Sequence, residues 1–438
     1  MAYSSFCTRV GAILTDQIAK SATDVSPAKT GAMIFIIATV VLDMLAIGMI
    51  VPIMPRLVES YFTDVTSAAH AFGLSMTLWA LLQFFMSPVL GAMSDQFGRR
   101  PVILVSCLGL GLSYFASAWA PTFLAFLAAR VISGATAGNI SAANAYVADV
   151  TLPAERAKAF GMLGAAFGVG FTFGPAMGGL LGAIDVRLPL IVAGFLCFIN
   201  AAYGFFVLPE SHKLENRTVF NWGKANPVGA LAVFKGQPYL YALIPVYGLF
   251  ALAQNVFPSA FVLYAEHRYH FSTIETGATM AVSSTLMILA QLFIVQRVVG
   301  RLGERRSLMI ALLFGMTGFA LYGLAPTPIL FWASMPVMTM WALFNPSIQS
   351  LMTQRVSADA QGQLQGGLAS LMAMMGIFAP NLYTSLFAMG ISMQWPGGID
   401  LGIDLPGAPF LAASFFLAIA LAITLLVVRR GPGSGKPL

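Results

Sequence analysis

Two ionisable side chains stand where a chain this apolar has few. Asp43 lies in the middle of the otherwise uncharged run Ile36–Ile53, and Arg130 is the one basic residue well inside an apolar stretch. A charge at the bilayer centre costs about 2.5–3.5 kcal/mol on insertion scales, so such residues usually face a cavity and serve a function. A carboxyl in that position can take up a proton from one side of a barrier and release it to the other as its exposure alternates. It can also act only as an acceptor that ties neighbouring helices together. A guanidinium stays protonated in proteins, so Arg130 cannot carry the proton itself. It can influence a nearby carboxylate, act as the internal counter-ion of Asp43, or bind an anionic ligand.

A second constellation is the run Gly91-Ala-Met-Ser-Asp95-Gln-Phe-Gly98-Arg99-Arg100-Pro101. Arg99 and Arg100 alone would be explained as a basic anchor at a membrane surface. Asp95 is not: at roughly helical spacing it can pair with Arg99 and accept hydrogen bonds at the next helix start. Asp149, at the end of a later apolar stretch, is a further expected partner. A weaker copy, Gly300-Arg301-Leu-Gly303-Glu304-Arg305-Arg306, stands 205 positions on, with Gly300 at the Asp95 position and Glu304 at the Arg99 position.

A third feature is the small-residue string Gly164, Gly168, Gly170, Gly174, Pro175, Gly178 and Gly179. Small-xxx-small spacing lets helices approach closely, and Pro175 removes a backbone hydrogen bond and favours a kink. The string is not a phosphate loop, because it lacks the strand context and the Lys-Ser/Thr ending. Gln83, Asn144, Gln254, Asn255, Trp341, Asn345 and Gln349 are the candidates for a cavity wall. With Phe84, Phe85 and Phe344 nearby in sequence they would suit a bulky amphipathic ligand. Each amide singly also reads as glue between helices.

These residues need apolar elements to position them. Of 438 residues 58% are hydrophobic and 9% charged, where soluble domains carry about 25% charged residues. The chain therefore reads as an all-α integral membrane protein. A span needs about 20 apolar residues. Twelve stretches qualify, near 33–56, 69–92, 102–120, 122–147, 159–183, 189–208, 239–265, 274–299, 307–324, 328–354, 364–389 and 409–429. The 205-residue offset that maps Gly98 onto Gly303 also maps Ala120-Pro121-Thr122 onto Ala325-Pro326-Thr327, Gly161 onto Gly366 and Pro175 onto Pro380. The chain is thus a tandem duplication: two parallel six-helix repeats, a pattern found in transporters.

The expected organisation is a tail over 1–32, a six-helix bundle over 33–208, a linker over 209–238, a second bundle over 239–429 and a tail over 430–438. Lys and Arg favour the cytoplasmic side of a membrane. With both termini inside, every Lys and Arg except Arg56, Arg187, Arg268 and the intramembrane Arg130 is cytoplasmic. The N-terminal residues lack the compact pattern of a signal peptide. The three cysteines, Cys7, Cys107 and Cys197, show no metal-ligand spacing. The net charge of +6 follows topology rather than nucleic-acid binding.

The motifs resemble those of the major facilitator superfamily, specifically its twelve-span drug:proton antiporters. The Gly91–Pro101 run is similar to that family's signature between spans 2 and 3. Phe126-Leu-Ala-Ala-Arg130-Val-Ile-Ser-Gly134 resembles the span-4 signature, and Gly164 to Gly179 the antiporter signature of span 5. Leu42-Asp43 through Gly48 to Pro52 and Pro55, with Gln361-Gly-Gln-Leu-Gln-Gly366, looks like tetracycline-efflux pumps. The resemblance implies proton-coupled export of amphipathic small molecules by alternating access, at an inner (plasma) membrane. It implies no cofactor beyond the proton gradient and, as partners, a small-molecule substrate, protons and the lipid bilayer around a monomer. Asp43 and Arg130 would couple protons. Gly91, Asp95, Gly98, Arg99, Arg100 and Asp149 would form a cytoplasmic latch between the two halves, and the span-5 string a seal against leak. Two positions depart from the pumps: Ser113 stands where they carry an aspartate and Met287 where they carry a histidine, which puts tetracycline itself in question. The same fold as an importer or facilitator of a metabolite or organic anion is the alternative; a membrane enzyme or receptor finds no catalytic cluster to support it.

Overall fold

The computed structural model describes residues 27–137, 139–151, 155–212, 215, 217–218, 238–354, 356, 361–392, 394–395, 399–400 and 405–429. The N-terminal tail up to residue 26, the C-terminal tail after 429 and most of the linker lie outside the described residues. The helices are α1 (Pro27–Ile50), α2 (Met54–Glu59), α3 (Val65–Phe97), α4 (Arg99–Ala118), α5 (Phe123–Thr136), α6 (Asn139–Val150), α7 (Arg156–Ile184) and α8 (Leu188–Val207). In the second half come α9 (Pro238–Gln254), α10 (Val256–Tyr269), α11 (Thr273–Ala290), α12 (Gln296–Leu324), α13 (Pro328–Thr339), α14 (Phe344–Thr353), α15 (Gln361–Ser392) and α16 (Ala408–Arg429). A two-residue pairing of Gln394–Trp395 with Ile399–Asp400 is the one strand ladder among the described residues.

Among the described residues, nine helices are long and apolar enough to cross a membrane. The remaining spans have physical reasons for escaping that measure. Thr273–Leu324 is one continuous run only nominally: Gly303 inside it has φ 75° and ψ 165°, which breaks it into spans 8 and 9. Pro336 and the 3₁₀ turn Met340–Leu343 divide span 10 into α13 and α14. Span 1 is represented by its apolar part, Phe35–Ile50. Large apolar side chains such as Phe206, Ile329 and Leu124 remain exposed, as a hydrocarbon solvent permits and water disfavours.

The duplication is written in the backbone. Gly98 and Gly303 are the two glycines of positive φ among the described residues. Thr122 and Thr327 each cap the next helix, accepting from the N–H groups of Ala125 and Leu330. Such caps satisfy donors that a helix start leaves orphaned. The packing follows the same operation: α4 against α8 recurs as α12 against α16, and α1 against α8 as α9 against α16. Two helix pairs carry most of the packing between the bundles, α3 with α15 and α7 with α11.

Candidate functional site

The space between the bundles is a cavity of about 730 Å³ with walls from both. Gln83 of α3 and Gln254 and Asn255 at the α9–α10 junction line it, with Trp341 from the 3₁₀ turn. A smaller cavity of about 300 Å³ extends into the first bundle. Both share Ile47, Val51, Met76, Trp79, Gln83, Phe171 and Pro258. Asn255 donates to the Ala251 carbonyl at 2.8 Å, and Gln83 Nε2 to the Ala137 carbonyl at 3.4 Å. Trp341 is held by a stack on Phe250 at 4.6 Å.

Asn144, Asn345 and Gln349 are not in either wall; Asn144 is exposed, and the other two are half-buried. Phe344 is buried in a stack on Phe250, and Phe85 is exposed. Membrane helices are apolar all round, so sequence does not reveal which face turns inward. Trp79 and Tyr114 went unnoticed. Trp79 precedes Gln83 by one helical turn, which puts them on one face, and that spacing was the available signal. Met287 lines the larger cavity. Ser113 is buried and donates to the Leu110 carbonyl at 2.7 Å.

Asp43 is 4% exposed and accepts a hydrogen bond from Asn200 Nδ2 at 3.2 Å. The same amide reaches the Thr39 carbonyl at 3.2 Å and Cys107 Sγ at 3.8 Å. Asp43 stands outside both walls, one turn before Ile47 and two before Val51, which line them. Arg130 sits elsewhere, in the wall of the smaller cavity, with its guanidinium 5.5 Å from the centroid of the Trp79 ring. Arg130 thus faces the smaller cavity, whereas Asp43 lines neither wall.

The Gly98 turn is held by a network. Arg99 pairs with Asp95 at 2.5 Å and with Asp149 at 3.0 Å, and donates to Ser94 Oγ at 2.6 Å. Gly98, at φ 104°, turns the chain so that the N–H groups of Arg99 and Arg100 meet the Glu210 carboxylate at 2.8 and 3.3 Å. Arg100 donates to the Phe205 carbonyl and lies over the Phe205 ring. A Cβ at Gly91 would meet Ser141 Oγ at 3.4 Å. Every partner among the described residues belongs to the first six spans or the segment just after them, so the described contacts bind α3, α6 and the segment after α8 together. Glu304 in the second copy accepts from Ser350 and Gln354.

The bundles meet at the opposite end. Arg56 pairs with Glu266 at 3.1 Å and donates to the Phe271 carbonyl at 2.7 Å. Deeper in, Thr77 donates to the Ile377 carbonyl at 3.0 Å. The span-5 string supplies close approaches: a Cβ at Gly170, Gly174 or Gly178 would strike Met44, Gly48 or Met49 of α1, and one at Gly179 the Thr273 carbonyl of α11. Gly168 faces Ile288 at 3.2 Å, and Pro175 lines the larger cavity. Gly164, by contrast, faces open space, as do Gly161 and Gly300 toward the Gly98 end. Among the described residues, the one ion pair between the bundles lies at the Arg56 end, and no hydrogen bond or ion pair joins them at the Gly98 end.

Two bundles around a central cavity define a multi-pass membrane transporter. The chain belongs to the Major Facilitator Superfamily, whose family model matches residues 36–380. It is 36% identical over 369 residues to the class C tetracycline resistance protein of Escherichia coli, covering 84% of this chain and 92% of that one. It is 31% identical over 372 residues to the class H protein of Pasteurella multocida, covering 83% and 91%. The crystal structure of the nucleoside transporter NupG has the same fold with a TM-score of 0.70 at 16% identity, covering 92% of this chain and 100% of that one.

Proposed function

We propose that this transporter exports amphipathic small molecules in exchange for protons, alternating between the present form and one open at the Arg56 end. The observation that carries the reading is the cavity of about 730 Å³ between two bundles whose described ion pair lies at the Arg56 end. The distribution of Lys and Arg supports a reading in which the Gly98 end and both termini face the cytoplasm. The present form is then the one that loads substrate from inside. The similarity to tetracycline resistance proteins supports export of a drug-like molecule. Asp43 is the proposed proton site. Its place one turn from Ile47 puts proton uptake on the same helix as the ligand wall, so α1 can respond to both.

The test is efflux from proteoliposomes under an imposed pH gradient. Export that follows the gradient and is lost in Asp43→Asn supports proton exchange. Export indifferent to the gradient, or unchanged in Asp43→Asn, sinks it. Substrate accumulation inside expressing cells would favour the importer reading.

A further inference from the structure

Arg130 is 6% exposed, yet among the described residues its side chain makes neither a hydrogen bond nor an ion pair. Its guanidinium lies against the face of Trp79, and Tyr114 is close by in the same wall. A guanidinium carries five N–H donors in a fixed fork and stays charged. A buried charge is costly unless paired and hydrogen-bonded, and a single ring face replaces little of the water lost. The site is therefore incomplete as it stands, and it is open to the space where a ligand would sit.

The surroundings define what would complete it. Arg130 is the only charged side chain in the walls of either cavity among the described residues. No Asp or Glu among those residues lines them to welcome a cation. Gln83, Tyr114 and Ser133 add polar groups beside Arg130 in the smaller cavity, while Trp79 and Phe171 continue into the larger one. The geometry is that of a receptor for a molecule with an acidic group at one end and an apolar, aromatic body.

We infer that the smaller cavity binds the acidic group of the substrate, with Arg130 and Trp79 as its receptor, so that the substrates are organic anions or zwitterions rather than simple cations. This rests on reading the cavity as the substrate site. It is independent of transport direction and of proton coupling. The planar fork of Arg130 suits a carboxylate or an enolate, both of which present two coplanar oxygens. The aromatic body then lies along Trp79 and Phe171 toward the larger cavity.

The experiment is equilibrium binding to the purified protein in nanodiscs of phosphatidylcholine, a lipid without net charge that cannot supply a competing anion. Three ligands of one shape are compared: anthracene carboxylate, anthracene carboxamide and anthracene methylammonium. A charge-assisted hydrogen bond in a buried site favours the carboxylate by about tenfold to a hundredfold over the amide, and the ammonium should bind most weakly. In Arg130→Met the carboxylate and amide should bind alike, while amide binding reports that the cavity is still formed. Arg130→Lys should keep part of the preference, because charge survives but the fork does not. Equal binding of carboxylate and amide to the wild-type protein overturns the inference, whatever the variants do. So does a preference that survives Arg130→Met. Because no gradient is present, failure here leaves the efflux test standing, and failure of proton-driven efflux leaves the binding order standing.

Discussion

The contact between Arg56 and the α10–α11 corner makes a quantitative demand on the conformational equilibrium. Arg56 meets Glu266 and the Phe271 carbonyl across the two bundles, so both interactions exist only while that end is closed. The ion pair is about a third exposed and is discounted for screening, to the about 0.2–1 kcal/mol typical of surface pairs. The hydrogen bond to a backbone carbonyl adds about 0.5–1.5 kcal/mol. Removing both in Arg56→Ala should therefore favour the form open at that end by about 1–2 kcal/mol, a factor of about five to thirty in population. The assay places a single cysteine at Met280, in the wall of the larger cavity, after Cys7, Cys107 and Cys197 are replaced by serine. A membrane-impermeant maleimide added from the Arg56 side should then alkylate it about five to thirty times faster in Arg56→Ala, in proportion to the open population. An unchanged rate would refute the reasoning, and so would a faster rate from the other side only. Glu266→Gln should accelerate labelling less, since it removes the ion pair and spares the carbonyl contact.

Three further outcomes follow from the same geometry. Gly178→Ala should destabilise the protein by about 1–3 kcal/mol through overpacking against Met49, whereas Gly164→Ala should be neutral or stabilising by about 0.5–1 kcal/mol; thermal unfolding of the two variants side by side checks the contrast. Gly98→Ala should lose more stability than Gly303→Ala, because both have positive φ, costing about 1–3 kcal/mol for a side chain, but only at Gly98 does the new Cβ also run into the Glu210 carboxylate. Denaturation curves that rank them the other way would sink the argument. Asp64 caps α3 by accepting the Ser67 N–H at 2.7 Å, and hydrogen bonds from Ser67 hold its carboxyl below the usual carboxylate range. Its contribution to stability is therefore complete above the unfolded carboxylate pKa and lost as pH falls through the lower folded value. Asp64→Asn should keep a cap and flatten that acid-side slope in a melting-temperature series.

Much of the architecture was legible because it rests on local rules. Gly98 and Gly303 mark backbone turns that other residues disfavour, and Thr122 and Thr327 start helices with the same cap, so a repeat in sequence became a repeat in structure. Asp95, Arg99 and Asp149 were expected together on charge and spacing. The third carboxylate, Glu210, was not, since nothing local ties it to the N–H groups of Arg99 and Arg100 more than a hundred positions earlier. Arg56 was noted only as a basic residue on the outward side, and its partner lies in the other repeat. The cavity was half legible. Gln83, Gln254, Asn255 and Trp341 reach the wall, while Asn144, Asn345 and Gln349 do not. In a membrane helix both the lipid side and the packed side are apolar, so hydrophobic periodicity does not mark the inner face.

The glycine contacts of α7 have a mechanical consequence. Where Gly174 meets Gly48, and where Gly179 and Pro175 meet Gly277, backbone touches backbone. Interlocked side chains must change rotamer before one helix can roll over another, and each such step is a barrier. At these points there is no side chain to disengage, so they act as bearing points that put no rotamer barrier in the way of α7 tilting against α1 and α11. Any side chain added there would work as a ratchet tooth, slowing the exchange of conformations even where it left both end states intact.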